Sequence, residues 1–245
     1  MRKSIGIIMI VVIMTTLISG CKTGEENDMP EENVGLPEKI FELQDYPKCD
    51  GSVLTLPMSE AVCAALTGEE IQNVHSTVIH NGSDKAVENL LNSNAEIIFT
   101  EMAETELKEA AEKKNISIET VPVDRDYYVF YTDAENADDV NDGEQPGITA
   151  EEAESVLIGT SSTDTKYEYG YFLSGYAPEG IQILAVDGVY PSAETVESGE
   201  YPFTFSYNAV IRADSAADSG ARKIIAALLD EKGQHLLEEA GYVKL

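Results

Sequence analysis

The sequence predicts an α/β protein in which helices cover a parallel sheet. From Cys49 onward, stretches rich in β-branched and aromatic residues alternate with stretches whose apolar residues recur at helical spacing. This order of strands and helices is typical of parallel sheets with covering helices. The chain of 245 residues is long enough for one large core or two smaller ones, and it shows no internal repeat.

The first half of the chain supplies these elements in a regular order. Asp50-Gly51-Ser52 forms a tight turn before a helix that runs from Thr55 to Thr67. Asn81-Gly82-Ser83-Asp84 ends a β-rich stretch at 74–80, and a second helix follows with apolar residues at positions 86, 87, 90 and 91. Further strands are predicted at 95–100, 116–123 and 127–131, and further helices at 103–114 and 233–240.

The N-terminus has the order of a bacterial export signal. Arg2 and Lys3 precede an apolar run from Ile5 to Ile18, which is shorter than the roughly 20 residues that a membrane span needs. The ending Ile18-Ser19-Gly20-Cys21 resembles the lipobox, whose Cys becomes the new N-terminus and carries lipid. We expect a signal peptide at 1–20 and a lipoprotein anchored through diacylglycerol and palmitate on Cys21, at the extracytoplasmic face of the cell membrane. The alternative is an uncleaved signal anchor.

Acidic residues dominate the composition, with 45 Asp and Glu against 16 Lys and Arg and a net charge of -29. This charge repels phosphate backbones and anionic headgroups, so it excludes nucleic acid and a basic membrane-binding patch. The acids are concentrated in a tether at 21–47 and in a solvated loop at 132–147. Within that loop, the run from Asp138 to Gly143 lacks the spacing of a calcium loop, so no metal site is predicted.

The two remaining cysteines, Cys49 and Cys63, leave two interpretations open. In an exported protein they can form a disulfide that closes a short loop. They can equally remain buried thiols, because a strand end and a helix interior need not bring their Cα atoms within the ~7 Å that a disulfide requires.

Two turns that precede helices suit an anion. Gly51-Ser52 and Gly82-Ser83 place small residues where unpaired backbone N–H groups and the helix dipole favour negative charge. Each Ser hydroxyl either donates to a ligand or simply caps its helix. The occurrence of two such turns favours a ligand at the carboxyl ends of the strands, although both interpretations stand.

Catalytic motifs are absent from the sequence. Its three histidines are His75, His80 and His235; the first two point to opposite faces of a predicted strand, and the third lies in an acidic helix. The sequence contains no G-x-S-x-G elbow, H-E-x-x-H motif, P-loop or zinc-spaced Cys pair. We therefore expect neither catalysis nor a cofactor.

Several short segments carry a resemblance to a known family. In order they are Asp50-Gly51-Ser52, Asn81-Gly82-Ser83, 95–101, 148–152 with a capping box from Thr149 to Glu152, 186–192, 198–203 and 240–243. Together they resemble the phosphate-binding receptors of ABC import systems, which have a periplasmic-binding-protein-like fold of type II. The resemblance covers roughly 48–245 with one gap, and its C-terminal segments are the more specific ones.

The resemblance implies a two-lobed α/β receptor whose lobes close over a small oxyanion and deliver it to an ABC permease. Lobe one corresponds to 48–126 plus 203–245, and lobe two to 127–202. The ligand contacts expected from the matching turns and their neighbours are Ser52, Val53, Ser83, Asp84, Thr100 and Arg125.

The sequence departs from the family in the second lobe. Between Gly159 and Tyr169 the family usually carries a strand, an Arg and a Ser-Gly-Thr loop, whereas this chain has only a short polar stretch. No Arg occurs between Arg125 and Arg212. We therefore predict a reduced second lobe and weak or absent phosphate affinity. The alternative function is a non-transporting surface or signalling module that kept the scaffold and lost ligand binding.

Overall fold

The computed structural model describes residues 35–133, 147–159, 169–174 and 180–245. The predicted signal peptide with Cys21, the acidic run at 138–143 and the gap at 160–168 lie outside the described residues. The strands are β1 (Cys49–Gly51), β2 (Ile97–Thr100), β3 (Ile118–Asp133), β4 (Gly147–Ile148), β5 (Tyr169–Leu173), β6 (Ile181–Ile183), β7 (Ala185–Val186) and β8 (Thr204–Arg212). The helices are α1 (Leu56–Thr67), α2 (Ile71–Val74), α3 (Ser83–Leu91), α4 (Glu104–Glu112), α5 (Ala150–Leu157), α6 (Ala193–Glu197), α7 (Gly220–Leu229) and α8 (Glu231–Glu239), with 3-10 turns at Leu43–Asp45 and Val53–Thr55.

The main sheet is mixed, so the prediction of a parallel sheet is only partly correct. Its strand order is β1-β2-β8-β3-β5, and β6 also pairs with β3. β1 and β2 are parallel, and the chain between them supplies the crossover that parallel strands need, through α1, α2 and α3. β8 is antiparallel to both β2 and β3, because this strand returns from the C-terminal half of the chain and inserts between them.

β3 replaces two predicted strands with a single strand of 16 residues. Its first part pairs with β8, and its last part pairs with β5 and β6, so the backbone stays extended throughout. The register with β8 shifts between Pro122 and Asp124. Proline has no N–H group to donate to the ladder, which fits an irregularity at this point.

The predicted strand at 74–80 is wrong. Val74 ends α2, and the N–H groups of Thr77 and Val78 both donate to its carbonyl, at 2.8 and 3.0 Å. Val74 and Val78 are both buried in the same apolar cluster. Their spacing of four residues follows a helical turn, so composition alone misidentified the stretch as a strand.

Three apolar clusters hold the described residues together. The first lies between the main sheet and α1, α7 and α8, and it includes both Cys49 and Cys63 as free thiols. The second lies on the opposite face, where α3 and α4 pack on Ile98 and Val210. The third joins the far end of β3 to α5, α6 and the two-stranded parallel sheet β4-β7. Of the two interpretations of the cysteine pair, the structure therefore shows buried thiols, and burial raises the pKa of each to about 12.

Other local predictions are confirmed. The helix predicted at 55–67 is α1, and the stripe at positions 86, 87, 90 and 91 is the buried face of α3. The capping box at the start of α5 is present: Thr149 accepts from the N–H of Glu152, whose carboxylate accepts from the N–H of Thr149 at 2.8 Å.

Candidate functional site

Three loops meet at the carboxyl ends of the parallel strands β1 and β2. The loop after β1 is joined to the start of α3 by a hydrogen bond from the Gly82 N–H to the Gly51 carbonyl, at 3.0 Å. The Ser52 N–H donates to the Phe99 carbonyl of β2 at 2.9 Å. Gly51 permits this close approach, since a Cβ there would lie 2.5 Å from the Phe99 oxygen and 2.7 Å from the His80 ring. The two Gly-Ser turns are therefore brought together, as the sequence predicts.

Asp50 fastens these loops. It is buried, and each of its carboxylate oxygens accepts two hydrogen bonds. One oxygen accepts from the N–H groups of Gly51 and Asn81, at 2.7 and 2.8 Å. The other accepts from the side-chain amides of Asn81 and Asn89, at 2.9 and 2.7 Å. Burial alone raises the pKa of Asp50, but these donors outweigh it and hold the pKa below its ordinary value.

His80 contacts the Ser52 loop through its ring nitrogen Nδ1. Its Nδ1 lies 2.6 Å from the Ser52 carbonyl oxygen and 3.3 Å from the Thr55 hydroxyl. Burial lowers the pKa of His80, against the opposing effects of the Ser52 carbonyl and of Asp50 and Glu60. A neutral imidazole that donates from Nδ1 to the Ser52 carbonyl satisfies this geometry. His80 therefore stabilises the loop, whereas the sequence analysis considered it only as a possible catalytic base.

Ser52 does not cap a helix. It is 3% exposed, its side chain makes no capping hydrogen bond, and its Oγ has no partner among the described residues. The following residue, Val53, is 68% exposed. A buried hydroxyl without a partner costs free energy, so the observation favours the ligand interpretation of this turn over the capping interpretation.

Ser83 is the first residue of α3, and it does not cap the helix either. Its hydroxyl donates to Oε1 of Glu101 at 2.8 Å, while Oε2 of Glu101 is buried and has no partner among the described residues. Glu101 thus lies beside the predicted contact Ser83, and it was not among the ligand contacts predicted from the sequence. The available signal was its position directly after Thr100, at the end of a predicted strand.

Two further predicted ligand contacts, Thr100 and Asp84, lie in different surroundings. Thr100 is fully buried at the end of β2, and its hydroxyl accepts from the Met102 N–H at 3.2 Å. Asp84 is exposed in the first turn of α3, where the helix dipole stabilises its carboxylate. It makes no hydrogen bond with the described loops. Thr100 therefore lies where the ligand is expected, whereas Asp84 contributes charge at the rim.

Arg125 lies in β3 opposite Ser206 of β8. Ser206 is two residues from Asn208, whose amide donates to the Met102 carbonyl in the loop after β2, at 3.3 Å. Side chains alternate along a strand, so Asp124 and Asp126 face away from Arg125. Within the described residues, Arg212 and Arg222 pair with Asp214 and Glu119, whereas the Arg125 side chain has no acidic partner. Arg125 is thus an uncommitted cation on the face of the sheet that carries this loop.

Comparisons with known proteins bear on the fold of this chain. A curated relative, the phosphate-binding protein PstS of Borreliella burgdorferi, is 31% identical over 104 residues, and the match covers 40% of this chain and 36% of that protein. An ABC-type phosphate transport receptor from Vibrio cholerae aligns with a TM-score of 0.55 at 14% identity, covering 80% of this chain and 98% of the receptor. The chain has the fold of the periplasmic-binding-protein-like receptors. PstS from Borrelia burgdorferi also aligns, with a TM-score of 0.50 at 18% identity and coverages of 80% and 97%. No family model matches.

The resemblance to phosphate-binding receptors is therefore confirmed by relatives of that kind, while the curated match spans only about a third of its relative's length. These relatives are receptors rather than enzymes, which fits the expectation that this chain is not an enzyme. Within the described part of this receptor-like chain, no helix is long and apolar enough to cross a membrane. The described residues also contain no group of three or more His, Cys, Asp or Glu side chains that could hold a metal ion.

Proposed function

We propose that the protein is an extracytoplasmic receptor that binds a small oxyanion, phosphate in the first place, and delivers it to an ABC permease. One observation carries the proposal. The Ser52 hydroxyl and a carboxylate oxygen of Glu101 are both buried without partners among the described residues, at the strand ends where two helices begin. The receptor fold and the phosphate-binding relatives support a solute-binding role for these strand ends.

The donors of the site suit an oxyanion. The backbone N–H groups at the start of an α-helix have no partners within the helix, and both α1 and α3 begin beside these loops. The Ser52 hydroxyl adds a neutral donor, and Arg125 is the candidate cation. Hydrogen bonds from neutral groups hold an anion without the net positive charge that this acidic chain lacks.

Glu101 favours an anion that carries a proton. A carboxylate only accepts hydrogen bonds, so its buried Oε2 needs a donor on the ligand. At neutral pH phosphate retains a proton, whereas sulfate has none. We therefore propose that Glu101 accepts from a hydroxyl of the ligand and selects hydrogenphosphate over sulfate.

The second lobe at 127–202 and its reduced set of donors stay predictions. If lobe one supplies most of the contacts, phosphate binds weakly, with a dissociation constant on the order of 0.1–1 mM, because each missing hydrogen bond to a charged group costs about 1.5–3 kcal/mol.

Calorimetric titration of the purified protein with phosphate, sulfate and molybdate tests the proposal. We expect heat with phosphate and its loss in a Ser52→Ala, Ser83→Ala double variant. Ser198→Ala is the matched control, because its exposed hydroxyl contacts only the Thr195 carbonyl of the same turn. Equal heats for the double variant and the wild type would contradict the assigned site, and absence of heat with every anion would favour the non-transporting alternative.

The lipid anchor is the second part of the proposal. It rests on the lipobox-like ending at Cys21 and on the similarity to phosphate-binding receptors. Cys21→Ala should move the protein from the membrane fraction into the soluble fraction of the producing cell. Retention of this variant on the membrane would show that the N-terminal segment itself is the anchor.

A further inference from the structure

A cavity of about 300 Å³ adjoins the Ser52 loop. Val53 and Leu54 form one wall, and Tyr207 and Tyr242 form another. The Tyr242 hydroxyl donates to the Leu54 carbonyl at 3.3 Å, which fixes the C-terminal segment against the loop. The volume lies at the lower limit of small-molecule pockets, about 300–1,000 Å³, and is more than an inorganic anion held at Ser52 would fill.

One carboxylate lies in the wall of this cavity. Asp126 is 6% exposed, and its Oδ1 accepts from the Tyr127 N–H and the Ser174 hydroxyl, each at 2.7 Å. From the described residues its Oδ2 accepts a single hydrogen bond, from the Tyr207 hydroxyl at 3.2 Å, and a carboxylate oxygen has room for a second. The described residues that line the cavity include no Lys, Arg or His.

The surroundings of Asp126 favour a cation. A buried carboxylate is stabilised by an opposite charge or by further donors, and the strong negative charge of the whole chain attracts cations rather than anions. The apolar walls accept a short carbon chain. The cavity therefore suits a protonated amine on a small aliphatic body.

The two sites share a wall. Val53 and Leu54 line the cavity and directly follow Ser52, whose hydroxyl is the proposed anion donor. From this continuity we infer that the ligand of the receptor is a small phosphate monoester or phosphonate that carries a protonated amine, with its phosphate end at Ser52 and its amine at Asp126. The inference rests on the proposed anion site and specifies its substrate class.

Phosphoethanolamine and n-propyl phosphate test the inference as a matched pair, since a methyl group replaces the ammonium and the chain length is unchanged. Titrations of both compounds and of inorganic phosphate are made on the wild type and on Asp126→Asn. We expect the wild type to bind phosphoethanolamine at least tenfold more tightly than n-propyl phosphate. The preference should disappear in Asp126→Asn, while inorganic phosphate binds both proteins equally. Asp218→Asn, an exposed acid outside the site, is the control.

The outcomes separate this inference from the proposed function. Binding of inorganic phosphate without any preference for the amine would overturn the inference and leave the anion site intact. A preference that persists in Asp126→Asn would place the amine elsewhere and would also overturn it. Binding of none of the three compounds would overturn both. If Asp126→Asn fails to fold, the comparison between the two compounds on the wild type still decides, since equal affinities contradict the inference.

Discussion

The sheet region (48–126 and 203–245) and the small region (127–202, as far as it is described) keep their polar side chains in different places. All buried polar side chains of the described residues except Thr132 lie in the sheet region. The small region places hydroxyls at helix starts, where Thr149 and Ser192 each accept from a backbone N–H in the first helical turn. Ser52 and Ser83 also stand at helix starts, and neither of them caps.

This difference separates hydroxyls that cap a helix from buried hydroxyls that have no hydrogen-bond partner among the described residues. A cap stabilises the fold, whereas a buried polar group without a partner destabilises it. Ser52 is of the second kind, and Oε2 of Glu101 beside the two Gly-Ser turns also has no partner among the described residues. Selection for stability alone would remove such groups, so this pair supports the proposed site. The sheet region also contains a hydroxyl of the first kind, since Ser219 accepts from the Arg222 N–H and caps α7.

The largest expected effect comes from Asp124, which is fully buried and whose oxygens have no partners among the described residues. Burial, and then the charge of Asp126, raises its pKa to about 8. Because the unfolded chain loses this proton near pH 4, the folded state binds more protons between about pH 4 and pH 8, and stability falls as the pH rises through that window. Asp124→Asn should remove this slope, which amounts to about 5–6 kcal/mol at 1.36 kcal/mol for each unit of pKa.

Urea unfolding of the wild type and of Asp124→Asn at pH 4, 6 and 8 measures the effect. The difference in unfolding free energy between the two proteins should grow in favour of the variant as the pH rises, and it should level off above pH 8. Parallel pH profiles would show that Asp124 is not the buried acid that distinguishes the sheet region.

A second comparison uses two carboxylates that fasten loops, one in each region. In Asp50→Asn either orientation of the amide points a nitrogen at two donors, because each oxygen of Asp50 accepts two hydrogen bonds. We expect a loss of about 2–4 kcal/mol in stability. Asp187→Asn should cost under about 1 kcal/mol, because this exposed residue accepts one hydrogen bond, from the Ala150 N–H at 3.2 Å, and the Asn oxygen can replace it. Equal losses in urea unfolding would remove this contrast between the regions.

A third prediction concerns the proposed selectivity. Glu101→Gln converts an acceptor into a donor at the site, so phosphate affinity should fall about tenfold or more while sulfate gains relative to phosphate. Titration with both anions measures the ratio, and Glu112→Gln, an exposed change on α4, is the control. An unchanged ratio of phosphate to sulfate affinity would remove Glu101 from the ligand contacts.

The sequence predicted the features that depend on local pattern, and it did not predict those that depend on contacts between distant parts of the chain. The stripe of α3 and the capping box of α5 follow from short-range rules. The meeting of the two Gly-Ser turns follows from a general rule of α/β folds, in which ligand loops gather at the carboxyl ends of the strands. The antiparallel insertion of β8 and the single long β3 depend on pairing between residues about 90 apart, such as Thr120 with Val210, which no local pattern reveals. Glu101 was missed for a similar reason, since its partner Ser83 lies on another element.

The smallest effect compares Ser52 with Thr149 in the absence of ligand. Thr149→Ala removes a cap and half of a capping box, so it should cost about 1 kcal/mol of stability. Ser52→Ala removes a buried hydroxyl that has no partner among the described residues, so it should leave stability unchanged or raise it by up to about 1 kcal/mol.

The signs of the two changes matter more than their sizes. Ser52→Ala removes a hydroxyl, and Thr149→Ala removes a hydroxyl and a methyl group, each at a helix start. If any substitution at these positions lowered stability, the urea midpoints of both variants would fall together. Urea unfolding of the two variants beside the wild type, first without ligand and then in excess phosphate, distinguishes the cases. With phosphate present, Ser52→Ala should lose the stabilisation that ligand binding gives the wild type, while Thr149→Ala should gain as much as the wild type does. A fall in ligand-free stability for Ser52→Ala would mean that its hydroxyl serves the fold, and the buried polar groups of the sheet region would then no longer mark a binding site.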